Sequence, residues 1–172
     1  MVAEGTPPGT DIIATLEAER AHGASLDELL EAAVRGIEAA DPRYDWVGIY
    51  LLEGDLLSLH SYIGRPTKHT SIPVGVGVCG AAIAERRDIN VPDVRAVENY
   101  LACSVETRSE LVVLIRDGQA SRIYGQIDLD SDQAGAFTEA DVRALRPVAD
   151  WLADLFAEAE KQRTAGRAPG ED

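Results

Sequence analysis

Two cysteines lie in settings that suit thiol chemistry. Cys79 follows the glycine-rich residues 75–78 and precedes an apolar run of helical character. Its sulfur is therefore expected near the unpaired N–H groups of a helix start, which favour a thiolate. The alternative for Cys79 is a small buried hydrophobic residue. Cys103 lies in a predicted loop, where Arg108, five residues further along the chain, could stabilise a thiolate.

An aromatic pair marks one strand-like run. Trp46 and Tyr50 flank Gly48 at alternate positions. A strand would place both rings on one side of a sheet with an open gap between them. Such a gap suits a bound ligand, and the alternative is that both rings fill the core.

Three carboxylates belong to two further strand-like runs. Asp128 and Asp130 share one face at the end of a strand, and Glu110 on the neighbouring strand can join them. Because carboxylates on the inner face of a sheet are costly, they lie either at the rim in water or grouped to bind a cation. Repulsion within a group would raise the pKa of one carboxyl, which could then act as a general acid.

A histidine in the loop before Cys79 offers a weaker candidate site. His69 stands between two polar residues, where an exposed histidine without a role is common. A zinc site built from His69, Cys79 and Cys103 lacks any C-x-x-C or H-x-x-x-H spacing. We therefore predict no bound metal.

Composition narrows the class of protein. The 172 residues include 30 acidic and 16 basic ones, for a net charge of -14, which disfavours nucleic acid and anionic membrane surfaces as partners. No apolar run is long enough to span a membrane. The first ten residues have neither the basic start nor the apolar core of a secretory signal, so we expect a cytoplasmic protein.

The elements that must position these residues are predicted from capping and periodicity. A capping box at Ser25 and Glu28 begins a helix that runs to about residue 40, and Thr138 caps a final helix to about residue 161. Between them we predict strands at 46–52, 56–63, 88–94, 110–115 and 123–129, a loop at 64–77 and a helix at 80–87. The hairpins indicate an α+β (mixed α/β) fold, a central antiparallel sheet with helices packed against it.

The domain organisation follows from the same pattern. We expect an N-terminal segment at 1–20 that is partly flexible, one folded unit at 21–162, and a flexible tail at 163–172.

The motifs together resemble a known family. DWVGIY at 45–50, GVGVCG at 75–80, VPDV at 91–94, AC at 102–103, RSELVV at 108–113 and DLDS at 128–131 resemble the free methionine-(R)-sulfoxide reductases, which are stand-alone GAF domain proteins. The similarity extends over 44–156, in order and nearly without gaps. It implies a GAF fold for the unit at 21–162.

The resemblance also implies site roles and partners. Cys103 matches the family's nucleophile and Cys79 a second redox cysteine, although the two roles could be reversed. Trp46 and Tyr50 match the aromatic wall that contacts the methyl-sulfoxide group of the substrate. Glu110, Asp128 and Asp130 match the carboxylates that bind its amino group. The family uses an external thiol reductant of the thioredoxin type, has no bound cofactor, and suggests a homodimer.

One difference from the family pattern leaves more than one function possible. The family's first cysteine lies ten residues before Cys79, where this chain has His69. Reduction could then proceed with Cys79 resolving Cys103 or with an external thiol, and an imidazolium at His69 could help to stabilise a thiolate. The alternative functions are a ligand-binding or redox-sensing GAF module that keeps the pocket without efficient turnover, and a structural or dimerisation domain.

Overall fold

The fold is a six-stranded antiparallel sheet with helices on both faces. The computed structural model describes residues 8–98, 100–101 and 104–167. The elements are α1 (Pro8–Ala21), α2 (Leu26–Ala40), β1 (Trp46–Glu53), β2 (Leu56–Ile63), β3 (Ser71–Pro73), α3 (Gly77–Glu85), β4 (Ile89–Val91), a 3-10 turn (Val94–Ala96), β5 (Ser109–Arg116), β6 (Ile123–Ser131) and α4 (Glu139–Ala165). The sheet order is β3-β2-β1-β6-β5-β4, and each neighbouring pair is antiparallel. The predicted α+β class is confirmed.

Alternation along the central strands divides the interior into two layers. On one face, Val47, Leu111 and Leu129 belong to the core that α1, α2 and α4 cover. On the other face, Trp46, Tyr50 and residues of α3 form a second, smaller core. Because successive strand residues point to opposite faces, each central strand contributes to both layers. We call the second side the α3 face.

Local signals explain the elements that the sequence predicted well. The Ser25 Oγ accepts from the Glu28 N–H at 3.2 Å, and the Glu28 carboxylate accepts from the Ser25 N–H at 2.7 Å, which completes the capping box of α2. Gly54 takes a φ of +59° in the tight turn between β1 and β2. Both predicted hairpins, β1 with β2 and β5 with β6, are confirmed by their antiparallel registers.

Other elements differ from the sequence-based expectation. Helix α1 occupies most of the segment predicted to be partly flexible. Its Ile12 and Leu16 side chains are buried where the helix packs against the rest of the chain. The predicted loop at 64–77 contains β3, which pairs with β2. Helix α3 begins at Gly77 instead of residue 80, so Cys79 lies within its first turn. The strand predicted at 88–94 is only three residues long, and α4 continues to Ala165.

A buried polar network ties the start of β1 to the start of α4. Asp141 accepts from the Tyr44 hydroxyl at 2.7 Å, from the Arg43 guanidinium at 2.8 Å and from the backbone N–H of Thr138 at 2.7 Å. This network fixes the strand that carries the aromatic pair. In the part of the chain that the structure describes, no helix is both long and apolar enough to cross a membrane.

Candidate functional site

The predicted acidic residues meet on the α3 face of three adjacent strands. Asp130 of β6 lies opposite Trp46 of β1 on one side and Glu110 of β5 on the other, while Asp128 lies opposite Gly48. The strand order brings them together because β6 separates β1 from β5.

All three carboxylates are buried, with exposed fractions of 3% for Glu110, 0% for Asp128 and 1% for Asp130. The alternative that Asp128 and Asp130 lie at a wet rim is therefore wrong, because α3 and the neighbouring loops exclude water from this edge of β6. The grouped arrangement is the one observed.

Cys79 joins the same group from α3. Its side chain is buried, and its Sγ lies 3.6 Å from Oε1 of Glu110. Ligand atoms of Cys79, Glu110 and Asp128 all lie within 4.8 Å of one another, close enough for one small cation or one ammonium group to contact all three. The site thus combines a thiol and carboxylates that are all buried.

Burial makes this cluster electrostatically unusual. Loss of water, followed by the charges of Asp128 and Asp130, raises the pKa of Glu110 well above its ordinary value. Loss of water also raises the pKa of Asp128 to about 6, against hydrogen bonds from Glu110 and Cys79 that lower it. Apart from those two groups, the described residues offer no hydrogen-bond donor to the Asp128 carboxylate. A cationic ligand would offset the negative charge of this cluster.

Tyr100 lies at the same cluster. Burial raises the pKa of its hydroxyl, and the charge of Glu110 adds to the effect. Sequence reasoning did not identify Tyr100, because it follows a loop without a regular pattern that could have indicated its direction.

The aromatic pair is closer packed than the sequence suggested. The ring centroids of Trp46 and Tyr50 are 6.4 Å apart, and Trp46 also stacks on Tyr62 at 5.4 Å. The indole lies over Gly48, where an added Cβ would be 2.3 Å from Trp46 Cη2. The expected open gap is therefore wrong, since the indole itself fills the space above Gly48. Tyr62 was missed, although its place in a strand-like run was a usable signal.

Gly48 is required for the position of the indole. In Gly48→Ala we expect the ring to move, a changed near-ultraviolet circular dichroism spectrum, and a loss of unfolding free energy of about 1–3 kcal/mol, as for other overpacked sites. Urea unfolding measures the loss. The matched control is Gly118→Ala, because an added Cβ at Gly118 meets no atom within 4 Å. Equal behaviour of the two variants would contradict this role of Gly48.

The other residues that the sequence singled out do not join the carboxylate cluster among the described residues. His69 contributes its backbone, since its carbonyl accepts from the Tyr50 hydroxyl at 2.7 Å. Arg108 forms a 3.8 Å ion pair with Asp93. Cys103 lies outside the described residues, so its predicted role and its pairing with Cys79 stay predictions.

The chain is similar to a known domain family and to reductases within it. The GAF domain model matches residues 25–154. The free methionine-R-sulfoxide reductase of Escherichia coli K12 is 37% identical over 114 residues, which cover 66% of this chain and 67% of that protein.

Solved structures agree with this match. The type II free methionine-R-sulfoxide reductase from Thermoplasma acidophilum has a TM-score of 0.71 and 37% identity, covering 78% of this chain and 96% of that one. The free methionine-R-sulfoxide reductase from Neisseria meningitidis, solved with its substrate, has a TM-score of 0.79 and 28% identity, covering 94% and 97%. The chain therefore belongs to the GAF domain family and, within it, to the free methionine-R-sulfoxide reductase family.

Proposed function

We propose that this protein reduces free methionine-(R)-sulfoxide to methionine. The observation that carries the proposal is the buried group of Glu110, Asp128 and Asp130 beside the Trp46 indole. The names of the similar proteins from Escherichia coli and Neisseria meningitidis support the same substrate.

The proposed binding mode uses each part of the substrate. The ammonium group lies among the three carboxylates, where its charge offsets their repulsion. A methionine sulfoxide within a peptide has no such ammonium group, so the site selects the free amino acid. The methyl-sulfoxide end lies against the Trp46 and Tyr50 rings, because sulfur and methyl groups pack favourably on aromatic surfaces.

The proposed reaction begins at a cysteine thiolate, which we assign to Cys103. The thiolate attacks the sulfoxide sulfur while a protonated carboxyl donates to the oxygen. The acid is one carboxyl of this cluster, because burial raises the pKa of both Glu110 and Asp128 above their ordinary values and thereby favours a protonated form. The protonated oxygen then moves from the substrate sulfur to the Cys103 sulfur as the new sulfur–sulfur bond breaks, so that methionine leaves reduced by two electrons and Cys103 is oxidised to a sulfenic acid.

Recycling returns the enzyme to its starting state. We propose that the Cys79 thiol attacks the sulfenic sulfur, forming a disulfide and releasing water. A dithiol of the thioredoxin type then reduces the disulfide. Over the whole cycle, its two electrons and two protons convert the oxygen of the sulfoxide to water. Direct reduction of the sulfenic acid by an external thiol is the other route, and exchange of the two cysteine roles stays open. No bound cofactor is needed. We further propose a cytoplasmic homodimer.

A second candidate function follows from His69. Because this residue stands where the family's first cysteine is found, the chain can be a GAF module that binds the amino acid or senses redox state without efficient turnover.

Multiple-turnover assays separate the two functions. We expect reduction of the free (R) sulfoxide with either thioredoxin or dithiothreitol, and none of the (S) form or the N-acetylated substrate, which serve as controls. Turnover with dithiothreitol alone would contradict the thioredoxin route. Absence of turnover with both reductants, together with saturable binding, would favour the binding module.

A further inference from the structure

One surface arginine is connected to the aromatic side of the site by its backbone. The Trp46 Nε1–H donates to the carbonyl of Arg65 at 3.1 Å. The same loop accepts from Tyr50 through His69. The orientation of both rings therefore depends on where the backbone of 64–70 lies.

The side chain of Arg65 reaches two other segments of the chain. Its guanidinium pairs with Asp132, just after β6, and with Glu106 at 3.5 Å, while its Nε–H donates to Ser104 Oγ at 3.2 Å. These partners are themselves held in place. The Asp132 N–H donates to Asp45 at 2.8 Å, and the Ser104 hydroxyl donates to Glu106 at 2.6 Å.

We propose that Arg65 is a positioning residue, which holds the loop at 64–70 in place and thereby fixes the Trp46 indole against the carboxylate cluster. Each of its ion pairs is exposed, and one such pair alone contributes little to stability. Three convergent partners nevertheless restrict the loop in a way that one pair does not. The effect on substrate affinity rests on the proposed function, whereas the effect on Trp46 does not.

The indole of Trp46 also lies close to the loop backbone at Gly64. An added Cβ at Gly64, the residue before Arg65, would lie 2.5 Å from Trp46 Cδ1. The loop backbone thus contacts the edge of the indole as well as its nitrogen. A displacement of the Arg65 backbone must therefore move the ring or expose it.

The test uses Trp46 as its own reporter. In a Trp151→Phe background, Trp46 is the remaining tryptophan, and its exposed fraction of 4% predicts weak quenching by acrylamide. We expect Arg65→Met to raise the quenching constant at least about threefold and the KM for the free sulfoxide about tenfold, with kcat within about twofold. Arg65→Lys should restore part of both effects because it keeps the charge.

The matched control is Arg20→Met. The Arg20 side chain is 44% exposed, against 42% for Arg65, and it pairs with Glu158 between α1 and α4, away from the site. We expect no change in quenching or KM. If Arg65→Met does not fold, Asp132→Asn tests the same network through its partner.

Two results would overturn the proposal. One is quenching of Trp46 that is the same in Arg65→Met as in Arg20→Met. The other is a fall in kcat at constant KM, which would place Arg65 in the chemical step. If the unaltered chain shows no turnover, the proposed function fails, but the quenching comparison still decides the role of Arg65.

Discussion

We expect the variant Cys103→Ser to lose turnover of free methionine-(R)-sulfoxide by at least about 10³-fold and still to bind the substrate. Serine keeps the size of the side chain but does not form the anion that attacks sulfur at neutral pH, and loss of a nucleophile has effects of this size. Binding should survive because the carboxylates and the aromatic rings supply it. Steady-state kinetics and calorimetric titration with the sulfoxide measure the two effects.

Cys79→Ser is the matched control for this prediction. If Cys79 resolves the sulfenic acid, a single turnover should proceed near the normal rate, and a sulfenic acid should accumulate and be trapped by dimedone at Cys103. Turnover with thioredoxin should be lost. Full activity of Cys103→Ser would contradict its role, and dimedone trapping at Cys79 would assign the nucleophile to Cys79 instead.

The variant Asp128→Asn should be more stable than the unaltered chain at pH 8 and should bind the sulfoxide much more weakly. Burial raises the pKa of Asp128 to about 6 in the folded chain, above its unfolded value. Between these two values the folded state binds more protons, so stability falls as the pH rises through that window, and the full penalty is present above it.

Removal of this charge should therefore raise the unfolding free energy on the order of 2 kcal/mol at pH 8 and have little effect at pH 4. The same change removes one partner of the substrate ammonium, so KM should rise about 30-fold or more. Urea unfolding at both pH values and steady-state kinetics measure these effects.

Asp154→Asn is the control for the stability gain, because Asp154 is exposed on α4. It removes one negative charge from the chain without relieving a buried one. A gain in Asp154→Asn as large as that in Asp128→Asn would assign the effect to net charge and contradict a cost of burying the Asp128 carboxylate. An unfolding free energy of Asp128→Asn at pH 8 that is lower than that of the unaltered chain would also contradict this cost.

The sequence predicted best what depends on neighbours along the chain. Ser25 with Glu28 begins α2 through bonds between residues three apart, and the turn at Gly54 brings two adjacent strands together. The even spacing of Asp128 and Asp130 correctly placed both on one face. These features require no knowledge of the rest of the fold.

Features that depend on distant partners were less predictable. Helix α1 was missed because its apolar residues do not form a clear stripe at helical spacing, and its burial depends in part on α4, more than a hundred residues away. The burial of Asp128 depends on the helix that covers β6, so periodicity alone left the wet rim open. The position of the Trp46 indole over Gly48 required the side-chain rotamer, which a strand pattern does not determine.

The alternation of β6 has a consequence for how faithfully the chain folds. Ile127 and Leu129 face the core that α1, α2 and α4 cover, whereas Asp128 and Asp130 lie on the α3 face. A shift of β6 by one residue would carry both carboxylates into the fully apolar core and leave two large aliphatic side chains among the remaining polar groups. The two carboxylates that we propose as substrate ligands therefore also penalise mispaired strands, so a variant that neutralises them should tolerate register errors that the unaltered sequence rejects.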